Sequence, residues 1–262
     1  MPNKKNTPYY LYIINGDPLL IEPDGVASFI ALGATGAVFQ DNNGQHIESI
    51  SELCIDREKF IYQTLPKSPY ILDCLDIEAK GLRFQYYQLG NPRDYLQSNE
   101  IDDNIRDRWI RNAIDAVAFL HAYGVIHADI SPRNFLVADD LWIKLCGFAG
   151  SVIGDLQPLV EDEEWYRISP LSPRTSKTDL FALGCPIYEI STGSRPYDEI
   201  KDIDEVKSLY SARIFPDADG PKHQSIIYKF WTSQYSEPSQ LRRDFSRNES
   251  SERCQETPVT LW

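Results

Sequence analysis

The sequence predicts an α+β protein built from two lobes, a small β-rich lobe followed by a larger helical lobe. The chain has 262 residues, 42% of them hydrophobic, which is enough material for a substantial buried core. Short β-type runs separated by turn residues fill the first third, and apolar residues at helical spacing dominate the remainder. Strands and helices that are segregated along the chain are typical of the α+β class.

We expect one domain over residues 1–262, because no internal repeat or low-complexity tract divides the chain. The small lobe, with an N-terminal extension, is predicted over about residues 1–88. The helical lobe is predicted over about residues 89–245. A polar tail over about residues 246–262 is expected to fray.

The small lobe contains five predicted strands, at residues 9–14, 28–32, 36–39, 70–75 and 81–87. One helix interrupts them, from Glu52 to Leu65, and its expected packed face consists of Leu53, Phe60 and Ile61.

The large lobe opens with an amphipathic helix, because apolar residues step at three and four positions from Ile105 to Leu120. A hairpin follows, with strands at residues 135–137 and 141–145. A further helix is predicted to open at Thr178-Asp179, and the last apolar helix lies near residues 225–231. Pro186 falls inside the helix that opens at Thr178, where a proline is expected to kink or end it.

The composition disfavours several classes of partner. The chain has 26 basic and 39 acidic residues, and its net charge of −13 repels nucleic acids and anionic membrane surfaces. No apolar stretch approaches the roughly 18 residues of a membrane span, and the N-terminus is a poor secretory signal. Five scattered cysteines without a CxxC pair favour reduced thiols. We therefore expect an intracellular protein, in the cytoplasm rather than the nucleus.

The most informative segment runs from His127 to Asn134, between the amphipathic helix and the hairpin. Asp129 precedes Asn134 by five residues on one tight loop. Such a carboxylate accepts or orients the proton of an attacking hydroxyl, while the amide oxygen binds a magnesium ion on nucleotide phosphates. The simpler interpretation is a polar loop in which both side chains serve turn geometry.

With this loop in place, nearly the whole chain resembles the eukaryotic protein kinase family, and most closely the small single-domain kinase-like proteins of filamentous fungi. The resemblance implies the bilobal protein-kinase-like fold. Gly33, Gly36 and Val38 resemble the glycine-rich loop that covers nucleotide phosphates, although the glycines alone could form a simple hairpin turn. Phe84 matches the gatekeeper, and the backbone of Gln85 and Tyr86 matches the hinge that holds adenine.

The resemblance also implies structural roles. Glu58 matches the glutamate of the family's helix C, although such a residue is often a solvated helix charge. His127 belongs to the catalytic-loop motif, and Asp179 matches the aspartate that steadies this loop, unless it merely caps a helix. Trp231 resembles a tryptophan late in the large lobe, where core packing is its expected role.

Two departures affect the chemistry. Active kinases hold the nucleotide phosphates with a third-strand lysine and hold magnesium with a DFG aspartate. This sequence has no lysine between Lys5 and Lys59, and Glu48 or Ser49 takes the lysine's place. Gly147 replaces the aspartate, so Asn134 remains as the predicted metal ligand.

The stretch from Ala149 to Pro170 corresponds to the family's activation segment. It contains the acidic run 161–164, followed by Tyr166-Arg167. The simpler interpretation is a solvated loop. The alternative is that fixed negative charge replaces a regulatory phosphate near Arg167.

Our main hypothesis is a pseudokinase, a regulatory or partner-binding module that binds a protein and for which ATP is at most a structural ligand. The alternative is an active Ser/Thr-type protein kinase of unusual mechanism, with Asp129 as base, ATP and Mg²⁺ as cofactors and a protein as substrate. A minor alternative is a small-molecule phosphotransferase, and a decayed, non-functional product also remains open.

Overall fold

The small lobe is a sheet of six strands, and a computed structural model gives their bounds. They are β1 (Pro8–Tyr12), β2 (Val26–Leu32), β3 (Gly36–Asp41), β4 (His46–Ile50), β5 (Cys74–Glu78) and β6 (Gly81–Gln85). The structure describes residues 8–12, 26–32, 36–41, 46–50, 52–78, 81–159, 163–167, 173–216, 223–235, 240 and 244. For residues up to 50, and for 52, 78 and 81, only the backbone is described.

The strand order is β2-β3-β4-β1-β6-β5, so the first strand lies inside the sheet rather than at its edge. β1 pairs in parallel with β4, where Leu11 lies opposite Glu48, and antiparallel with β6. The sequence predicts the strand but not this insertion. The prediction of a strand over residues 70–75 is wrong at its start, because Ile71 makes only an isolated bridge to Leu145 and β5 begins at Cys74.

The helix of the small lobe, α1 (Glu52–Thr64), matches the predicted helix within one residue. Its predicted packed face is largely wrong, because Leu53 is 69% and Phe60 46% exposed, whereas Ile55 and Ile61 are fully buried. The buried stripe is set by what α1 packs against, which includes the short turn at Phe148–Gly150.

The large lobe contains five helices in the described residues and four short strands. The helices are α2 (Pro92–Ser98), α3 (Asp103–Ala122), α4 (Ser176–Thr192), α5 (Ile203–Ser211) and α6 (Gln224–Trp231). The strands are β7 (Val125–Ile126), β8 (Phe135–Val137), β9 (Ile143–Leu145) and β10 (Val152–Ile153). The predicted amphipathic helix is α3, which begins where the Asp102 side chain accepts a hydrogen bond from Ile105 N at 2.8 Å.

The helix α4 continues through Pro186, so of the two expected outcomes, a kink or an end of the helix, the end is excluded. It begins two residues before the predicted start, because Thr175 and Thr178 cap its N-terminus reciprocally. It ends at Gly193, which is left-handed with φ 81°. Pro186 is buried, and its neighbours Cys185 and Ile187 belong to the main core. Tertiary packing of this kind, rather than local propensity, decides whether a helix persists.

The hairpin of β8 and β9 is antiparallel, as predicted, but its second strand begins two residues late. Leu141 is left-handed with φ 59° and belongs to the turn, where Asp139 and Asp140 are exposed. The predicted tail over residues 246–262 lies outside the described residues. None of the helices in the described parts of the chain combines the length and the apolar character needed to cross a bilayer.

Candidate active site

The loop from His127 to Asn134 is anchored by a fully buried histidine. His127 Nδ1 accepts a hydrogen bond from Asp129 N at 3.2 Å, which assigns the proton to Nε2. Nε2 then donates to the carbonyl oxygen of Cys146 at 2.9 Å. The ring also meets Phe148 edge-on, with centroids 5.4 Å apart. His127 thereby joins the loop to the end of β9.

Asp179 holds the same loop from the first turn of α4. Its carboxylate accepts from His127 N at 2.7 Å and from Ala128 N at 2.9 Å, and it lies 2.9 Å from His121 Nε2. Ala128 is left-handed with φ 65°, a conformation that a residue with a Cβ adopts only when its surroundings impose it. The cap of α4 is Thr175, so Asp179 is placed as a tether of the loop.

Asp129 and Asn134 are brought into direct contact by the short turn over Pro132–Asn134. Asn134 Nδ2 donates to Asp129 Oδ2 at 2.9 Å and to the Asp129 carbonyl oxygen at 2.6 Å. The other carboxylate oxygen, Oδ1, accepts from Glu163 N at 3.3 Å. The two predicted catalytic residues therefore form one hydrogen-bonded unit.

Gly147 lies two residues after the end of β9 and faces Asn134. Its backbone is left-handed with φ 79°, and a Cβ at this position would lie 2.5 Å from Asn134 Oδ1. The space that a side chain would need is thus taken by the asparagine amide.

Magnesium prefers several oxygen ligands, and carboxylates above all. Gly147 supplies no side-chain oxygen, so the Asn134 amide oxygen remains beside it, while the Asn134 amide nitrogen donates to Asp129. Over the described part of the chain, no group of three or more His, Cys, Asp or Glu side chains could hold a metal ion. The residues present do not fit the metal centre that the family resemblance implies.

Glu58 is buried, 4% exposed, rather than solvated. Its Oε1 accepts a hydrogen bond from Phe148 N at 3.2 Å, which links α1 to the residue that follows Gly147. Phe148 also meets the Tyr62 ring edge-on at 5.2 Å, and Tyr62 contacts Phe84 at 5.3 Å. Burial raises the pKa of Tyr62 well above its usual value. A continuous row of rings from Phe84 to His127 therefore crosses between the lobes.

Sequence reasoning missed Tyr62 and Phe148 as members of this row. The available signal was the spacing of Glu58 and Tyr62, which lie one helical turn apart and so face the same neighbour.

The predicted nucleotide-binding residues lie in and beside the sheet. Gly36 is the first residue of β3, and Val38 lies opposite Glu48 on β4, while Gly33 falls outside the described residues. Gln85 ends β6, and Tyr86 follows it with 36% of its surface exposed. Their nucleotide-binding roles stay predictions.

Five further residues shape the site. Arg57, Arg93 and Glu189 were not singled out from the sequence as site residues, and Glu163 and Tyr166 were noted only as members of the activation segment. Arg57 donates from α1 to the carbonyl oxygens of Ser151 and, at 2.9 Å, of Gln157, and its burial lowers its pKa. The other four lie on α2, the activation segment and α4, and are Arg93, Glu163, Tyr166 and Glu189.

The acidic run of the activation segment is not uniformly solvated. Glu163 is only 16% exposed at its side chain and pairs with Arg93 at 3.2 Å and Arg133 at 3.5 Å. Glu164 pairs with Lys207 at 3.0 Å. The preceding residues of the run, 161 and 162, fall outside the described residues.

The chain is similar to known kinases over most of its length. The sequence profile of the protein kinase domain matches residues 43–258. Cyclin-dependent kinase-like 2 from Oryctolagus cuniculus is 30% identical over 142 residues, which cover 51% of this chain and 25% of that protein. Serine/threonine-protein kinase ppk11 from Schizosaccharomyces pombe is 26% identical over 196 residues, 65% of this chain and 62% of that protein.

A third relative is serine/threonine-protein kinase PDK1 from Cryptococcus neoformans, 33% identical over 128 residues, 44% of this chain and 10% of that protein. In each case the chain spans less than two thirds of the relative's length. The mixed strand and helix content agrees with the predicted α+β class, and members of the matched family in general use ATP and Mg²⁺. The chain belongs to the protein kinase domain family.

Proposed function

We propose that this protein is a pseudokinase, a kinase-fold module that acts by binding another protein rather than by transferring phosphate. The observation that carries the proposal is Gly147. It stands where the metal-binding aspartate belongs, and the space for any side chain there is filled by the Asn134 amide oxygen.

The missing lysine supports the same function. Glu48 and Ser49 lie on β4, the strand that precedes α1, and no lysine occurs between Lys5 and Lys59. Glu58 directs one carboxylate oxygen at Phe148 N. Removal of one preorganised electrostatic group costs about 10²–10³ in rate. Two such losses in one site would reduce a typical kinase turnover of about 1–100 s⁻¹ by orders of magnitude.

The partner that we propose is a protein. The net charge of −13 disfavours nucleic acids and anionic membrane surfaces, and the scattered cysteines favour an intracellular, cytoplasmic location. ATP, if it binds, serves as a structural ligand.

A second candidate is an active Ser/Thr-type protein kinase of unusual mechanism. The arrangement of the catalytic loop favours it, because Asp129 and Asn134 are hydrogen bonded to each other and His127 and Asp179 hold the loop between them. A carboxylate positioned in this way is suited to act as a general base.

Thermal unfolding with ATP or ADP, each with and without magnesium, separates the two functions. A ligand at 100 times its Kd stabilises a protein by about 2.7 kcal/mol, which raises the Tm of a domain of this size by roughly 5–10 °C. For a pseudokinase we expect either no shift or a shift that is independent of magnesium. A magnesium-dependent rise supports the active kinase.

Phosphate transfer from Mg-ATP to a protein acceptor is the decisive second measurement. The proposal is wrong if the unmodified protein transfers phosphate and Asp129→Asn abolishes the transfer. Asp155→Asn, the same substitution at an exposed side chain outside the catalytic loop, is the matched control and must leave any transfer intact.

A further inference from the structure

The activation segment covers the predicted catalytic base. Glu163 N donates to Asp129 Oδ1 at 3.3 Å, while Asn134 Nδ2 occupies Oδ2 at 2.9 Å. Both oxygens of the carboxylate thus have protein donors. A substrate hydroxyl must come within about 2.6–3.2 Å of this carboxylate to pass it a proton. Glu163 N therefore takes an acceptor position of Asp129 Oδ1 that a substrate hydroxyl would otherwise use.

The side chain of Glu163 fixes its own backbone in this position. Its Oε1 lies 3.2 Å from Arg93 Nη1 and 3.5 Å from Arg133 Nη2. Arg133 belongs to the catalytic loop, one residue before Asn134, so the carboxylate is held by the same loop that carries Asp129. A guanidinium is well suited to bind a carboxylate.

Arg93 is itself locked by a buried network. Its Nε donates to Glu189 Oε1 at 2.7 Å, and its Nη2 donates to the Tyr166 hydroxyl, which in turn donates to Glu189. Burial alone would lower the pKa of Arg93, but the hydrogen bond to Glu189 and the neighbouring negative groups outweigh it and raise the pKa. Arg93 therefore stays charged and fixed beneath Glu163.

Two neighbouring residues tie the segment to α5 and to the loop before it. Lys207 lies 3.0 Å from Glu164, and the carbonyl oxygen of Trp165 accepts from the Tyr210 hydroxyl at 3.0 Å. The Arg195 guanidinium lies 4.3 Å from the centre of the Trp165 ring. None of these contacts requires a phosphate group.

We propose that Glu163 is an autoinhibitory positioning residue. Its carboxylate, held by Arg93 and Arg133, keeps its backbone N–H on Asp129, where it competes with a protein hydroxyl for that carboxylate. The inference goes beyond the proposed function, since the segment is closed in this way whether or not the chain transfers phosphate. The closure is built into the sequence, because the charge belongs to a glutamate and not to a modification.

The test is amide hydrogen exchange of the full chain, followed over residues 163–167 by mass spectrometry. Glu163→Gln keeps the shape and the backbone N–H but removes the charge. A hydrogen bond to a charged group opposes local opening more strongly than a neutral hydrogen bond does. We therefore expect amide exchange over residues 163–167 to rise about tenfold or more in this variant. Glu164→Gln is the matched control, and loss of its exposed pair should change exchange less than about threefold.

Exchange in the middle of α3 serves as the internal standard, because those amides report global unfolding. If Glu163→Gln unfolds the whole chain, Arg133→Gln replaces it, since the Arg133 side chain is 65% exposed and its loss leaves the core intact. Acceleration over residues 163–167 with slow α3 amides supports the proposal. Equal exchange in the Glu163→Gln and Glu164→Gln variants, or fast exchange there in the unmodified protein, overturns it. Neither result depends on phosphate transfer.

Discussion

At Gly147 the backbone is left-handed, and the space that a Cβ needs holds the Asn134 amide oxygen. Either property alone favours glycine, the first for a conformational reason and the second for a steric one. A second glycine that has only the first property separates the two reasons. Gly124 offers the comparison, because its φ of 69° is also left-handed but nothing lies within 4 Å of its absent Cβ.

We expect Gly147→Ala to lower the free energy of unfolding by about 2–4 kcal/mol. About 1–2 kcal/mol is the cost of a left-handed residue with a Cβ, and the rest comes from displacing Asn134 from its hydrogen bonds to Asp129. Gly124→Ala should lose only the first part. Urea unfolding of both variants measures the difference, and equal losses would show that Asn134 moves aside at no cost.

The same contact bears on attempts to restore catalysis. Gly147→Asp carries the same Cβ, so the new carboxylate enters the site only when Asn134 shifts. We therefore expect Gly147→Asp alone, like Glu48→Lys alone, to leave the protein without phosphate transfer. Activity in the double variant would show that the rest of the site is intact.

At the scale of elements, the sequence predicted the features that depend on residues close together along the chain. Two features depend only on residues within one helix or loop: the apolar period of α3 and the five-residue spacing of Asp129 and Asn134. The sequence predicted both. By contrast, Arg93 meets Glu163 and Glu189 across 70 and 96 residues of chain. No spacing rule connects such residues, so the network around Glu163 was invisible before the fold was known.

The packed face of α1 and the position of β1 were missed for the same reason. Of the predicted face, only Ile61 is buried, and the neighbours of α1 cover Ile55 in place of Leu53 and Phe60. β1 pairs in parallel with β4, a contact that local turn signals cannot specify because parallel strands need a long crossover.

Packing between α4 and α6 gives a prediction at this scale. A Cβ on Gly184 would lie 2.9 Å from Phe230 Cβ and 3.0 Å from the Trp231 ring. Alanine favours a helix over glycine by about 1 kcal/mol, but overpacking a core costs about 1–3 kcal/mol. The difference is about 0–2 kcal/mol, so we expect Gly184→Ala to destabilise the protein by up to about 2 kcal/mol in thermal or urea unfolding. Lys177→Ala, at an exposed position of α4, should stay within about 0.5 kcal/mol. A stabilised Gly184→Ala variant would show that the two helices separate freely.

For the whole molecule, two apolar clusters meet across the site. The larger one joins the helices of the large lobe, and the smaller one joins α1, β6 and the residues beside β8 and Gly150. Tyr62 packs against both clusters, and its ring lies between Phe84 and Phe148. Because the lobes share buried aromatic residues, we expect them to unfold in one transition, and the ionisation of buried tyrosines should affect both.

Alkaline pH tests this coupling, since several buried acids have raised pKa values. Burial is the first cause for Tyr62, Tyr166 and Tyr210, whose pKa values lie well above the usual one. Burial also raises the pKa of Tyr87 to about 12 and that of Cys185 to about 12. In the unfolded chain tyrosine titrates near pH ~10 and cysteine near ~8.5. Each group has a lower pKa in the unfolded chain than in the folded protein. Between these two pKa values, the unfolded chain loses a proton that the folded protein keeps.

The free energy of unfolding should therefore be constant with respect to these groups below about pH 8.5 and fall as pH rises toward 12. Each group contributes a slope of about 1.4 kcal/mol per pH unit above its unfolded pKa. Urea unfolding at intervals from pH 8 to 12, with tyrosinate absorbance followed in parallel, measures both events. Tyr87→Phe should make the decline between pH 10 and 12 shallower by up to one such slope, whereas Tyr123→Phe, at a side chain that is 47% exposed, should leave it unchanged. Because the buried tyrosines span both clusters, tyrosinate absorbance should rise together with unfolding; ionisation well before unfolding would show that these side chains are reached by water in the folded protein.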